Sequence, residues 1–310
     1  MFFLYGFYHY EQKKEKPYKV IFIPKTIDSS NGFWTSLIAG AELGADEYGV
    51  DLEVIGGSSE LDVNGQIENI RQCIKEKPDV MLVAPCSYSD TTDVLHEVVD
   101  AGIRLILIDS VINEDLAESI VATDNYVAGK RLGEYAKDYV TEEDDIAIIA
   151  HVRGSSTAID RERGIRDGLE EFEQNVLDTV YCDSSYDRAY ELTKTIIKNN
   201  PEVSLIMGTN EYSSVGAARA VKDLGLEGRI KVVGFDNSIE EIQLLEEGVF
   251  QAIIIQKPFN MGYIGIEQAV NMLTGKKVEK MLDAGCKLID KGNIYEEENQ
   301  RLLYPFMGQQ

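Results

Sequence analysis

Four apolar runs in this 310-residue sequence each end in a side chain that can hold hydroxyl groups. Leu105–Ile108 runs into Asp109, Leu205–Gly208 into Thr209 and Asn210, Val232–Phe235 into Asp236, and Ala252–Ile255 into Gln256. All four tips offer carbonyl or carboxylate acceptors, and Asn210 and Gln256 add amide donors. Hydroxyls both donate and accept, so the set suits a small polyhydroxylated ligand. Short runs of Ile, Val and Leu spaced by helical segments read as buried parallel strands. Ligands of open α/β sheets sit outside the carboxyl ends of such strands. The four tips therefore face one region of space, or two regions that face each other.

Each tip has a competing explanation, such as a helix cap for Asp236 and a solvated strand end for Gln256. For Asp236 that position is taken, because Ser238 and Glu241 fit the capping-box spacing. Ser213 or Ser214 is expected to cap the helix after Asn210, which leaves Asn210 for a ligand. Asp109 enters a longer loop through Ser110, and Gln256 stands just before Pro258, where the chain must leave the sheet. Asn31-Gly32-Phe33-Trp34 opens an earlier helix. Trp34, Leu37, Ile38, Ala41 and Ala45 recur at helical spacing, so Trp34 also reads as core, whereas Phe33 falls off that stripe. Aromatic faces beside Asp and Asn pack against the C–H faces of a sugar ring while its rim of hydroxyls takes hydrogen bonds. Arg161 and Arg163 could form a solvated helix face, yet exposed ion pairs contribute only ~0 to 1 kcal/mol, a weak reason for placing them there. Tyr186, before Asp187-Arg188, is a similar case.

The elements that would position these residues alternate almost without interruption. Strands are expected at 19–24, 52–55, 80–84 and up to Asp109, with helices at 33–48, 63–76 and 91–101, and this half closes at Asp124. The rhythm restarts with helices at 126–140, 159–172, 187–199 and 213–224 and strands at 145–150, 176–181, 204–207 and 231–235. One further helix, 262–273, follows Gln256 and precedes an irregular tail. Such alternation with short connections implies two doubly wound parallel-sheet lobes. The lobe boundaries are expected at 18–124 plus 257–286 and at 125–256 plus 287–310, with residues 1–17 as leader and linker.

Bulk properties exclude several classes. A formal charge of −24 repels nucleic-acid phosphate. Cys73, Cys86, Cys182 and Cys286 show no C-x-x-C pair, and His9, His96 and His151 lack metal-ligand spacing, so no metal or cofactor is expected. The start, Met1-Phe2-Phe3-Leu4-Tyr5-Gly6-Phe7-Tyr8, is aromatic and leads into a charged linker ending at Pro17. It is too short for a membrane span of about twenty residues, and reads as the stub of a signal or anchor.

Taken in order, Asn31-Gly32-Phe33-Trp34, Ile108-Asp109, Asp160-Arg161-Glu162-Arg163-Gly164, Tyr186-Asp187-Arg188, Thr209-Asn210-Glu211, Val233-Gly234-Phe235-Asp236 and Ile255-Gln256 resemble the ribose-binding type of periplasmic sugar-binding protein. The resemblance covers Tyr18 to Pro305. It implies two α/β lobes joined by three hinge crossovers, closing on a monosaccharide outside the cytoplasm and delivering it to an ABC importer, without catalysis and as a monomer. By that resemblance Phe33, Trp34 and Tyr186 sandwich the sugar ring. Asn31, Asp109, Arg161, Asn210, Asp236 and Gln256 bind its hydroxyls and ring oxygen.

Two departures bear on the ligand. The pattern has Asn before Pro where this chain has Ala84-Pro85, and Asp-Arg where it has Asp109-Ser110. Lys25, in a longer entry loop, could restore the missing positive charge. A lysine here resembles the receptors for the furanosyl autoinducer, which leaves a non-ribose furanose or a signal molecule open. A sensor handing its signal to a membrane histidine kinase would share the fold. A DNA-binding repressor would need several dozen residues ahead of the first strand, and a nucleotide enzyme would need a glycine loop that Gly56-Gly57-Ser58-Ser59 does not match.

Overall fold

The computed structural model describes residues 17–304. The expected leader, apart from Pro17, and the end of the tail lie outside the described residues. In chain order the first half runs β1 (Lys19–Ile23), α1 (Gly32–Tyr48), β2 (Asp51–Val54), α2 (Val63–Glu76), β3 (Val80–Val83), α3 (Thr92–Asp100), β4 (Arg104–Ile108) and β5 (Ser119–Ala122). Next come α4 (Asn125–Ala136), β6 (Asp145–Ala150), α5 (Ser156–Leu169), β7 (Val180–Tyr181), α6 (Tyr186–Asn199), β8 (Val203–Gly208), α7 (Glu211–Asp223), β9 (Lys231–Phe235), α8 (Ile239–Glu247) and β10 (Phe250–Ile255). The chain ends with α9 (Pro258–Leu273), β11 (Met281–Asp283), β12 (Lys287–Asp290) and α10 (Glu297–Leu303).

The strands form two six-stranded sheets, ordered β2-β1-β3-β4-β5-β11 and β7-β6-β8-β9-β10-β12. Counted within each sheet, the order is the same, and the first five strands of each lobe are topological duplicates. Neighbours pair in parallel except β10 with β12, which is antiparallel. The chain passes between the sheets three times: after β5, after β10, and between β11 and β12. The parallel sheets are covered on both faces, which is why their central strands read as unbroken apolar runs. Val20, Phe22, Leu82 and Ile106 pack under α1 and α9 on one face of the first sheet, and Ile21, Ile23, Met81 and Leu105 pack with Ile70 and Leu95 on the other. The tail was expected to be irregular but supplies an edge strand to each sheet. These strands are three and four residues long with part-exposed side chains, too short to carry a period. The expected strand 176–181 shortens to Val180–Tyr181, with Val176 touching Ile146 as an isolated bridge.

Two helix pairs lock the site-bearing helices in place through glycine. A Cβ on Gly40 of α1 would lie 1.9 Å from Phe259 O, and one on Gly262 of α9 would lie 2.0 Å from Leu37 O. Gly164 of α5 makes the same close approach to α4, where a Cβ would lie 2.2 Å from Tyr126 O. These contacts bring backbone against backbone and leave no side chain to yield. Gly40→Ala or Gly164→Ala should therefore force the helices apart and destabilise the fold by ~1 to 3 kcal/mol, read as a lowered urea midpoint.

Candidate ligand-binding site

The carboxyl ends of the two sheets face each other, and the lobes are closed. Tyr88 N–H donates to Gly154 O at 2.8 Å, and Val111 N–H donates to Ser156 Oγ at 3.0 Å. On the other side Tyr212 Oη donates to Asp28 Oδ2 at 2.8 Å, and Gly32 N–H donates to Glu211 Oε2 at 3.0 Å. Between these seams lies a small polar cavity, lined by Lys25, Asn31, Phe33, Trp34, Glu60 and Asp109 from the first lobe. Its other walls are His151, Thr157, Arg161, Asn210 and Asp236 from the second lobe and Gln256 at the crossover.

Two aspartates occupy matching places, Asp109 after β4 and Asp236 after β9, the fourth strand of each sheet. Both are buried and hold a left-handed backbone, with φ of 65° and 82°. Non-glycine residues seldom adopt it, although Asp tolerates it better than most. Asp236 Oδ1 accepts from Gln256 Nε2 at 2.7 Å and Oδ2 from Glu211 N–H at 2.8 Å. Burial pushes its carboxyl upward, opposed by the positive charge of Arg161 and by these hydrogen bonds. Asp109 Oδ2 lies 2.8 Å from Lys25 Nζ, an ion pair whose alignment leaves that oxygen without a formal hydrogen bond. Lys25 Nζ also donates to Thr157 Oγ1 across the cleft at 3.4 Å and lies 5.8 Å from the centre of the Trp34 ring.

Arg161 is buried, contrary to a solvated helix face, and Arg163 is the exposed member, paired with Asp160. Arg161 Nε donates to Asn125 Oδ1 at 2.8 Å, Nη1 donates to Thr209 O at 2.7 Å, and the guanidinium lies over Phe235 at 4.5 Å. Phe33 and Trp34 meet edge to face, 5.1 Å between centroids, and give the cavity an aromatic wall.

Nine of the ten residues singled out in the sequence line this cavity, and Tyr186 does not. As the first residue of α6, Tyr186 donates its hydroxyl to Glu211 and tilts against Tyr212 at 4.7 Å, which leaves it outside the cavity lining. Asn210 lines the cavity but is not left over from capping. Its Oδ1 accepts from Ser213 N–H at 3.0 Å, making Asn210 the cap of α7, with Ser213 as the reciprocal partner. Asn31 likewise caps α1, accepting from Trp34 N–H at 3.0 Å. Asp236 does stand outside its neighbouring cap, because Ser238 and Glu241 form the capping box of α8.

Three lining residues escaped the sequence reading. His151 directly follows β6, the counterpart of β1, which is followed by Pro24 and Lys25, so a fifth polar-tipped strand was available as a signal. Its ring nitrogens bond Thr209 Oγ1 at 2.9 Å and Thr157 Oγ1 at 2.8 Å, and burial, with Arg161 and Lys25 nearby, keeps it neutral by lowering its pKa. Thr157 opens α5 in a Ser-Ser-Thr run that reads only as capping. Glu60 sits in an irregular loop and had no signal.

Two lobes with matching sheets, three crossovers and a small polar cavity assembled from both lobes define a solute-binding architecture. Residues 20–277 match the periplasmic binding protein domain family, and the chain belongs to that family. The ribose import binding protein RbsB of Escherichia coli (strain K12) is 25% identical over 262 residues, spanning 84% of this chain and 88% of that protein. A sugar transporter from Clostridium phytofermentans is 44% identical, with a TM-score of 0.84 over 88% of this chain and 99% of its own. A carbohydrate transporter solute-binding protein from Agrobacterium radiobacter, solved in complex with D-arabinose, is 25% identical with a TM-score of 0.87 over 93% of this chain and 99% of its own.

Behind the cavity Glu211, Asp236 and Glu241 form a buried acidic group. Burial pushes the Glu211 carboxyl from 4.5 up to about 7, with the Asp236 charge adding to it and the Tyr186 and Gly32 hydrogen bonds opposing it. Burial and the charges of Glu211 and Asp236 raise Glu241 as well. Between pH 4.5 and 7 the folded chain keeps a proton on Glu211 that the unfolded chain has lost, so this contribution falls as pH rises through the window and is flat above it. The stability of the wild type relative to Glu211→Gln should decline by on the order of 3 kcal/mol across that window, measured by urea denaturation at stepped pH. A difference independent of pH would mean that Glu211 titrates as an ordinary carboxylate.

Proposed function

We propose that this protein captures a monosaccharide by lobe closure and delivers it to an ABC importer permease, working as a monomer outside the cytoplasm. The observation that carries this reading is the cavity itself. An aromatic wall of Phe33 and Trp34 faces acceptors and donors drawn from both lobes, and Gln256 Oε1 is buried without a hydrogen-bond partner. A buried unpaired acceptor is destabilising by ~1 to 3 kcal/mol, and a hydroxyl donor would relieve it. Family membership and the sugar-binding relatives support the same conclusion.

The proposed roles follow from the groups available. Phe33 and Trp34 pack one face of the ring, without a third aromatic from Tyr186. Asp109, Asp236 and Gln256 accept hydroxyl protons. Arg161, Lys25 and the amide nitrogens of Asn31 and Asn210 donate to hydroxyl and ring oxygens. The ligand stabilises the closed form because only that form presents both half-sites at once. No covalent step is required of these groups.

The cavity also argues for an uncharged ligand. Lys25 is already paired with Asp109, and Glu60 and Asp236 add carboxyls to the lining. A sugar phosphate would bring its charge against those carboxyls.

In a thermal-shift panel of pentoses, hexoses, polyols and their phosphates, at least one neutral sugar should stabilise the protein, by ~2.7 kcal/mol at a hundred times its Kd. The corresponding phosphates should leave the melting temperature unchanged. Stabilisation by another metabolite class and by no carbohydrate would overturn the reading. With the sugar so identified, Asp236→Ala should weaken binding ~10- to 150-fold by calorimetry.

A further inference from the structure

Glu60 lines the cavity and is buried, yet it belongs to none of the polar strand tips. Its loop is tied to the entry loop, with Ile27 N–H donating to Gly57 O at 2.9 Å. Glu60 Oε1 accepts the indole N–H of Trp34 at 2.7 Å, and Oε2 accepts the hydroxyl of Ser184 from the opposite lobe. An indole nitrogen is a donor only, and a buried one needs an acceptor. The Glu60 carboxylate meets that need and sets the rotation of the ring about its axis.

The Ser184 side of the contact carries an independent mark. Asp183 and Ser184 are consecutive non-glycine residues in the left-handed region, with φ of 54° and 50°. L residues avoid that region, and it persists where surrounding structure holds it, commonly at ligand clamps.

We propose that Glu60 is a positioning residue of this site: one carboxylate oxygen fixes the Trp34 ring as a cavity wall, and the other joins that ring to lobe closure through Ser184. The Trp34 bond lies within the first lobe, so it is kept when the cleft opens and the ring is preset before a ligand arrives. The Ser184 bond crosses the cleft and forms only on closure. This rests on the reading of the cavity as a ligand site, but its test uses no sugar, so the two can fail separately.

Trp34 is the single tryptophan of the chain, so fluorescence excited at the red edge, beyond the absorption of the tyrosines, reports on this ring alone. Emission and acrylamide quenching are measured on the sugar-free full chain, with circular dichroism checking the fold. Glu60→Ala should shift Trp34 emission to the red and raise the quenching constant. Glu60→Gln should restore both, because its amide oxygen accepts the indole N–H and its NH2 donates to Ser184 Oγ. Ser184→Ala should keep the wild-type emission maximum while quenching rises, because only closure is weakened. Wild-type emission and quenching in a folded Glu60→Ala would overturn the positioning role. A Glu60→Gln that is shifted to the red relative to wild type would overturn the hydrogen-bond basis, and this holds whether or not Glu60→Ala folds. Unchanged quenching in Ser184→Ala would overturn the link to closure.

Discussion

Closing the lobes takes a set of charged and polar side chains out of water together, and each must then find a partner or carry the penalty of lacking one. Lys25 and Asp109 meet this demand as a buried ion pair, and Arg161 meets it through Asn125, the Thr209 carbonyl and the Phe235 face. His151 meets it by staying neutral between two threonines. Gln256 meets only half of it, with its amide nitrogen on Asp236 and its oxygen unpaired. A site left short of one donor while rich in oriented acceptors suits the hydroxylated ligand proposed for it, because a partner lacking the donor leaves the same group unsatisfied.

The scaffold's contribution is to make the two half-sites rigid and let only their separation vary. Phe33 and Trp34 ride on α1, held to α9 by backbone contact at Gly40 and Gly262, and Arg161 rides on α5, held to α4 at Gly164. α9 follows a strand of the second sheet yet covers the first, so the crossover at Gln256 joins the lobes at the site itself. Glu211 completes the seam by placing a carboxylate on the N-terminal N–H of α1, where the helix dipole favours negative charge. Burial, with the Asp236 charge beside it, pushes that carboxyl upward.

Much of this was legible in the residue order. The apolar runs ending in Asp109, Asn210, Asp236 and Gln256 marked strands and their functional ends, because a strand buried on both faces must be apolar until it emerges. The capping box at Ser238 and Glu241 was equally local and freed Asp236. At Asn210 the deciding contact was a local one between competing caps, and at Tyr186 it was distant in sequence. Asn210 was assigned away from capping because two serines stood nearby, yet the cap went to the residue that could also share a reciprocal bond with Ser213. Tyr186 was placed against the ligand by resemblance, but the Glu211 carboxylate and the Tyr212 ring, distant in sequence, draw it aside.

The sequence by itself determined the class of fold, the duplication of the lobes, the positions where polar groups emerge from apolar strands and the aromatic pair at the first helix. These depend on periodicity and on residue type, which a linear order carries. The tertiary structure alone decided that Glu60, His151 and Thr157 join the cavity, that Lys25 pairs with Asp109, and that the tail gives one edge strand to each sheet. Those outcomes depend on distances between residues far apart in the chain. Some of those distances, such as Lys25 to Asp109 and the edge-strand pairings, are set within one lobe, and the cavity exists only once the two sheets have come face to face.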